Sequence, residues 1–317
     1  MAVYTEITER QLADFLVHFD LPPLRRYTGI AEGIENTNFL LETEDGRYVL
    51  TLFERRTPGE DLPFFRDLMA HLAAGGLPCP LPVSGAGSGK APIELAGKPA
   101  LVVSFLPGAQ NTNPTEKEAG AVGEMLARLH RTAADFSRSR GNSMGPAAWR
   151  EMADKIASGA RDVAPDLLDL FAAELDFLEA HWPRGLPSEL PAGIIHGDFF
   201  PDNLLWEGGA ISGVIDFYFA CKEALAYDLA VTLNAWCFGP AGEFDENRAG
   251  AIVAGYEAVR PLTAEEKAAM PRFLRGAALR ILLSRTHDQL FGVEDALVTP
   301  KDPAEYLGIL NFHRGSE

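Results

Sequence analysis

Hydrophobic and polar positions change rhythm partway along the chain. Phe39-Leu40-Leu41 and Tyr48-Val49-Leu50-Thr51-Leu52-Phe53 are short apolar runs separated by Glu44-Asp45-Gly46-Arg47. Asp-Gly between two such runs predicts an antiparallel hairpin. A helix is predicted over residues 62–74. Glu60 and Asp61 stand near its start, Pro63 is tolerated in a first turn, and Gly75-Gly76 closes it. Residues 77–83 carry Pro78, Pro80 and Pro82, too many for a helix. Strands are expected again around 92–95 and 100–105.

Past Leu106-Pro107-Gly108 the period becomes helical. Residues 116–136 place Val122, Met125, Leu126 and Leu129 on one face. Residues 167–182, 224–236, 247–259 and 264–290 read the same way, and a strand-type island over 193–217 interrupts them. No internal repeat is visible. The expected class is α+β. A small N-terminal antiparallel β-sheet lobe with a helix (1–104) is followed, past a hinge near 104–108, by a larger, mainly helical lobe (105–317). Substrate sites favour the cleft between such lobes.

Composition narrows the function. The 317 residues are 47% apolar and 23% charged, as in soluble globular proteins. A net charge of −17 argues against nucleic-acid or anionic-membrane partners, which need a basic patch. No run of apolar residues is long enough to span a membrane, and the first residues, with Glu6 and Glu9, lack a signal-peptide core. Cys79, Cys221 and Cys237 are widely spaced and form no C-x-x-C pair. They are expected to be reduced packing thiols of a cytoplasmic protein.

The chemistry concentrates in Ile194-Ile195-His196-Gly197-Asp198-Phe199-Phe200-Pro201-Asp202-Asn203-Leu204-Leu205-Trp206, followed by Gly213-Val214-Ile215-Asp216-Phe217. Phosphoryl transfer needs a carboxylate to orient the attacking hydroxyl and take its proton. It also needs oxygen ligands to hold Mg²⁺ on the phosphates. Asn203 follows Asp198 by the five residues that separate Asp and Asn in a protein-kinase catalytic loop. Asp216 ends the next apolar run, where kinases place a second metal-binding Asp. An isolated His-Gly-Asp is common. Its conjunction with flanking apolar strands, Asn203 and Asp216 is not.

This segment resembles the catalytic loop of the aminoglycoside-phosphotransferase and choline-kinase superfamily, with His-Gly-Asp in place of the His-Arg-Asp of protein kinases. The lobe change near residue 105 and Tyr227-Asp228-Leu229-Ala230 extend the resemblance over nearly the whole chain. Gly33-Ile34-Glu35-Asn36-Thr37-Asn38-Phe39, Tyr48–Glu54, Leu62-Pro63-Phe64-Phe65 and Leu283-Ser284-Arg285 are most similar to homoserine kinases of the protein-kinase-like type. The resemblance implies a protein-kinase-like two-lobed fold and ATP and L-homoserine as substrates, with Mg²⁺. Asp198 would be the base, Asn203 and Asp216 metal ligands, and His196 and Asp228 supports of the loop. Ser104, Phe105 and Leu106 would meet adenine. Other acceptors of the superfamily (an aminoglycoside, choline or a sugar) and an inactive nucleotide-binding regulator are the alternatives.

Two departures from kinases stand out. The third-strand position that usually carries Lys or Arg is Thr51, with Arg55 and Arg56 just beyond, and no clear ion-pair partner marks Glu60 or Asp61. The loop over 33–38 holds a single glycine, so Asn36, Thr37 and Asn38 are expected to donate to phosphate instead. Ser84-Gly85-Ala86-Gly87-Ser88-Gly89-Lys90-Ala91 imitates a Walker A loop, but Ser84 and Ala91 replace its required Gly and Ser/Thr, and it reads as a turn. For the acceptor's carboxylate the long C-terminal helix offers Arg280 and Arg285. Leu279, Leu282, Leu283 and Thr286 form its core face, and one of the two arginines is expected to face solvent.

Overall fold

The computed structural model describes residues 5–30, 36–54, 57–85, 93–159, 165–182, 190–291 and 301–315. The chain divides into two units. The first holds the described residues of Met1–Pro107 together with Gly213–Tyr218; the second holds those of Gly108–Ser212, Phe219–Gly292 and Pro300–Glu317.

The first unit contains α1 (Glu9–Leu16), β1 (Leu24–Gly29), β2 (Thr37–Thr43), β3 (Arg47–Leu52), α2 (Leu62–Ala74), β4 (Ile93–Leu95) and β5 (Lys98–Ser104). The strands form one antiparallel sheet in the order β1-β2-β3-β5-β4. The predicted hairpin is β2–β3, with Glu42 opposite Arg47. Its turn does not use a left-handed Asp-Gly pair. Thr43 closes it instead: its N–H donates to the Gly46 carbonyl at 2.9 Å, and its hydroxyl accepts from Gly46 N–H at 3.2 Å. The core face of β2 and β3 packs Phe39, Leu41, Leu50 and Leu52 against Leu12 and Phe15 of α1. Helix α2 has the predicted bounds, ended by Gly76 in the left-handed region at φ +82°. Gly213–Tyr218 joins this unit through the Val214 N–H, 2.7 Å from the Pro78 carbonyl. The Tyr218 ring stands edge-on to Phe53 and Phe65.

The second unit contains β6 (Ala109–Gln110), α3 (Glu116–Thr132), α4 (Pro146–Gly159), α5 (Pro165–His181), β7 (Ala192–Ile195), β8 (Leu204–Glu207), β9 (Ala210–Val214, whose last residues belong to the first unit), β10 (Cys221–Ala224), α6 (Leu225–Trp236), α7 (Glu246–Val259), α8 (Ala264–Phe291) and α9 (Pro303–Arg314). The periodicity placed α3, α5, α6, α7 and α8; α1, α4 and α9 are additions. Strand β7 pairs antiparallel with β10, Ile195 opposite Cys221. Helix α6 is buried along almost its whole length, and Leu279, Leu282, Leu283 and Thr286 of α8 are buried as the spacing required. Helices α3 and α7 meet backbone to backbone. A Cβ on Gly255 would stand 2.0 Å from the Gly120 carbonyl oxygen, and one on Gly123 would stand 1.9 Å from that of Ile252. The three cysteines are buried free thiols, and burial pushes Cys79 up to about 12. Among the described residues no helix is long and apolar enough to cross a membrane.

A buried ion pair joins α8 to α5 in this unit. Arg275 of α8 donates from two nitrogens to the two carboxylate oxygens of Glu174 on α5, each at 2.7 Å, over the face of Phe177. Arg314 of α9 adds a contact at 3.3 Å. Removing one partner of a buried pair strands the other charge. Glu174→Ala is therefore expected to destabilise the protein by about 3–5 kcal/mol. Glu174→Leu combined with Arg275→Met should recover most of that loss. Urea unfolding of the three variants is the check; a single-variant loss below about 1 kcal/mol would mean the pair behaves as a solvated one.

Candidate active site

Strand β7 delivers the chain into His196-Gly197-Asp198. Gly197 turns it with φ +77°, and a Cβ there would lie 2.9 Å from the Phe219 carbonyl oxygen, so both conformation and space require glycine. Asp228, fully buried near the start of α6, accepts from His196 N–H and Gly197 N–H, both at 2.8 Å. Its third partner is His130 Nε2 of α3 at 3.0 Å. Burial pushes the Asp228 carboxyl upward, but the hydrogen bonds from His130 and the backbone outweigh it and hold the group below the ordinary aspartate value. An ionised carboxylate only accepts, so the proton sits on His130 Nε2. His130 Nδ1 is 2.8 Å from the Tyr256 hydroxyl of α7, which Arg260 also reaches at 3.0 Å. Arg260 in turn donates to Glu266 of α8 at 2.8 Å.

Asp198 follows with its side chain partly exposed. Asn203 Nδ2 donates to the Asp198 carbonyl at 2.8 Å and to its Oδ2 at 3.1 Å. Trp236 Nε1 fixes the next residue through the Phe199 carbonyl at 2.8 Å. Arg280 of α8, 3% exposed, donates to the Gly197 carbonyl, and its guanidinium lies 3.8 Å from Asp198 Oδ1. Burial raises the Asp198 carboxyl above its ordinary value; Arg280 opposes this, Asp202 adds to it, and Lys301 and the Asn203 amide oppose it. Lys301 Nζ pairs with Asp202 Oδ2 at 2.6 Å, and Gln110 holds the Asp202 carbonyl at 3.2 Å.

Arg285 lies apart from this cluster of bonds. It donates to the Asp302 carbonyl at 2.9 Å and pairs with Glu305 at 2.6 Å, over the Tyr306 ring. Neither Arg280 nor Arg285 faces solvent, unlike the helical-wheel expectation. The reason is that α9, absent from the sequence reading, provides the partners of Arg285.

The first unit carries the other named residues. Asp216 has φ +63°, a left-handed conformation that Asp tolerates better than most side chains. Tyr218, close to Asp216, shares a hydrogen bond with Thr51. Thr51 is itself buried and donates to Asn38 Oδ1 at 2.7 Å. A neutral chain of hydroxyl and amide groups thus occupies the strand position where kinases carry a cation. Asn36 Oδ1 accepts from Glu54 N–H at 3.4 Å, and Thr37 donates to Glu54 Oε1 at 2.7 Å. Lys98 of β5 pairs with the other Glu54 oxygen at 3.1 Å. At the end of β5, Ser104 N–H donates to the Leu81 carbonyl at 2.8 Å and Phe105 N–H to the Arg47 carbonyl at 3.0 Å, with Leu106 next in the chain. Gly33, Ile34, Glu35, Arg55, Arg56 and the Walker-like residues 86–91 lie outside the described residues.

Residues 26–262 match the model of the phosphotransferase enzyme family. The chain belongs to that family. The phosphotransferase is 52% identical over 314 residues to a homoserine kinase of Xanthobacter autotrophicus, covering 99% of this chain and 96% of the relative. It is 51% identical, with the same coverage, to a homoserine kinase of Beijerinckia indica. Among solved structures, an amicoumacin kinase in complex with AMP-PNP, Ca²⁺ and Ami superposes with a TM-score of 0.71 at 18% identity, covering 97% of this chain and 92% of that one. Choline kinase from Cryptosporidium parvum superposes with a TM-score of 0.66 at 15% identity, covering 92% and 88%. These likenesses confirm the protein-kinase-like fold, with its N-terminal antiparallel sheet and larger helical part, and the phosphotransferase is an enzyme, a kinase.

Kinases of this kind usually use Mg²⁺. Among the described residues no group of three or more His, Cys, Asp or Glu side chains is placed to hold a metal ion. Mg²⁺ is commonly held by one or two protein oxygens plus substrate phosphates and water. The Asn203 amide nitrogen is turned to Asp198, which leaves its carbonyl oxygen as the hard donor, and Asp216 offers a carboxylate. The donor chemistry fits.

Sequence reading missed His130, Tyr256 and Lys301. His130 continues the apolar face of α3, where it reads as one more core position. Lys301 stands 99 residues from Asp202, and no spacing rule links them.

A carbon-13 NMR titration of the Asp198 carboxyl is expected to give a midpoint above the ordinary aspartate range. Arg280→Met removes the opposing positive charge, so the midpoint should move higher still. A midpoint that stays in place in Arg280→Met would show that Arg280 does not govern the charge of Asp198.

Proposed function

We propose that this phosphotransferase transfers the γ-phosphate of ATP to the hydroxyl of L-homoserine, giving ADP and O-phospho-L-homoserine, a step of threonine biosynthesis. The full-length identity of about half to homoserine kinases carries the choice of acceptor. Asp198 takes the proton of the acceptor hydroxyl as that oxygen bonds to the γ-phosphorus, and the bond to the β-phosphate oxygen breaks, releasing ADP. A carboxylate whose proton affinity burial has raised is a better base than a solvated one. The positive charge of Arg280 opposes that rise. The carboxylate-binding role considered for Arg280 and Arg285 competes with the bonds each already makes.

Asn203 and Asp216 would hold Mg²⁺, which when bound offsets the charge of the phosphates. Ser104, Phe105 and Leu106 meet adenine, where the N–H of Leu106 and the strand-end carbonyls serve as partners. Asn36, Thr37 and Asn38 line the phosphates. Their side-chain oxygens are engaged within the sheet, so the amide nitrogens of Asn36 and Asn38 and the backbone supply the donors. The buried free thiols fit the reducing cytoplasm.

An ADP-release screen over L-homoserine, choline and aminoglycosides tests the acceptor; turnover confined to choline or an aminoglycoside would replace the reading. Asp198→Asn keeps the shape but cannot take a proton, so turnover should fall by about 10²–10⁴ while nucleotide binding persists. A variant retaining about a third of wild-type activity would remove Asp198 from the role of base. Asp216→Ala should raise the Mg²⁺ concentration needed for half-maximal rate and lower kcat. A Mg²⁺ titration that superposes on wild type would take Asp216 out of the metal site.

A further inference from the structure

The homoserine reading leaves one chemical requirement unmet. The acceptor is a zwitterion: its ammonium and carboxylate share one carbon, two methylene groups from the reacting oxygen. With that oxygen at Asp198, the charged end must meet a cation and an anion nearby. Both groups must also be open to an entering molecule. Arg280 is 3% exposed and Asp228 is sealed at 0%. Arg285 is tied to Glu305 and Asp302.

The Asp202–Lys301 pair meets the requirement. Asp202 stands four residues after Asp198, immediately before Asn203, on the single turn Pro201–Asn203. Its backbone is anchored by Gln110, but its side chain is 44% exposed. Lys301, at the foot of α9, is 41% exposed, with Nζ 2.6 Å from Asp202 Oδ2 and 5.9 Å above the Phe200 ring centroid. Asn203, the residue after Asp202 on that turn, donates to Asp198 Oδ2 at 3.1 Å, which holds the turn carrying Asp202 against Asp198. Asp202 and Lys301 offer one charge of each sign, held together, solvated and beside the carboxylate that would receive the hydroxyl. An exposed ion pair of this kind contributes about 0–1 kcal/mol, so a ligand that supplies both complementary charges separates it at little loss.

We infer that the Asp202–Lys301 pair is the acceptor-recognition element: it opens on binding, Lys301 taking the amino acid's carboxylate and Asp202 its ammonium. This rests on the homoserine reading and deepens it. It makes the enzyme selective for acceptors that carry both charges. Choline offers only the positive one and leaves Lys301 without its counter-charge.

The test uses three acceptors and two variants of the full-length enzyme. L-Homoserine carries both charges, 3-aminopropan-1-ol lacks the carboxylate, and 4-hydroxybutyrate lacks the ammonium. Each is read by its KM, or by its inhibition constant against homoserine where it is not turned over. Lys301→Met should raise the constants for homoserine and 4-hydroxybutyrate by about tenfold or more, leaving 3-aminopropan-1-ol and ATP unchanged. Asp202→Asn should weaken homoserine and 3-aminopropan-1-ol by a similar factor and spare 4-hydroxybutyrate. Lys301→Arg should keep most of the homoserine affinity. The inference is overturned by losses that fall equally on all three acceptors, as a purely structural pair would give, or by no loss in either variant. If wild-type enzyme phosphorylates no homoserine, the acceptor reading itself fails, which is a distinct result. If it phosphorylates homoserine and the crossed pattern is missing, that reading stands without this one.

Discussion

The turn that presents Asp198 hangs on one buried carboxylate. Two successive backbone N–H groups, of His196 and Gly197, point at Asp228, and left without it they would be buried donors lacking an acceptor. Their convergence on its two oxygens fixes the orientation of two peptide planes, and therefore the direction in which the Asp198 side chain leaves the backbone. The charge this puts inside the protein is balanced by donors alone: two peptides and a histidine. Because His130 is itself oriented by Tyr256, and Tyr256 by Arg260, the arrangement runs outward from the loop through α3 and α7 to the start of α8 without a break in donor–acceptor order.

Around Asp198 the electrostatics are divided by depth. The buried arginine on the Gly197 carbonyl is a permanent part of the fold, placed by a helix whose other faces are core. The Asp202–Lys301 pair is superficial. Helix α9 links the two levels. Its residue Glu305 takes Arg285 out of circulation, while the segment just before it brings Lys301 to Asp202. The polar surroundings of Asp198 thus depend on α9, a helix that has no part in the His196–Asp198 turn.

Much of this was legible in the sequence. The Asp45-Gly46 hairpin, the bounds of α2 and the core face of α8 follow from period and punctuation, because those signals are local. So does the Asp198–Asn203 spacing, since a short loop fixes the distance between its own residues. The missing helices also left marks. Thr8 and Gln11 form a capping box at α1, and Asp302-Pro303 caps α9. What sequence could not supply was the pairing of distant charges. Arg280 and Arg285 lie on one helix, yet the first turns to the Gly197 carbonyl and the second to Glu305, a choice set by which element packs on each face.

The close contact of α3 and α7 has a further meaning. Gly255 lets the backbones touch, and the next residue is Tyr256. The distance from the phenol to His130 is therefore set by main-chain van der Waals radii, with no flexible side chain in between to absorb an error. A methyl group at position 255 would act as a shim between the two helices, lifting Tyr256 off His130 and loosening the grip of His130 on Asp228. Such a variant would keep every side chain of the His196–Asp198 turn and lose the spacing that supports it. In a survey of inactive alleles, Gly255 would look like a lesion with no address in the active site.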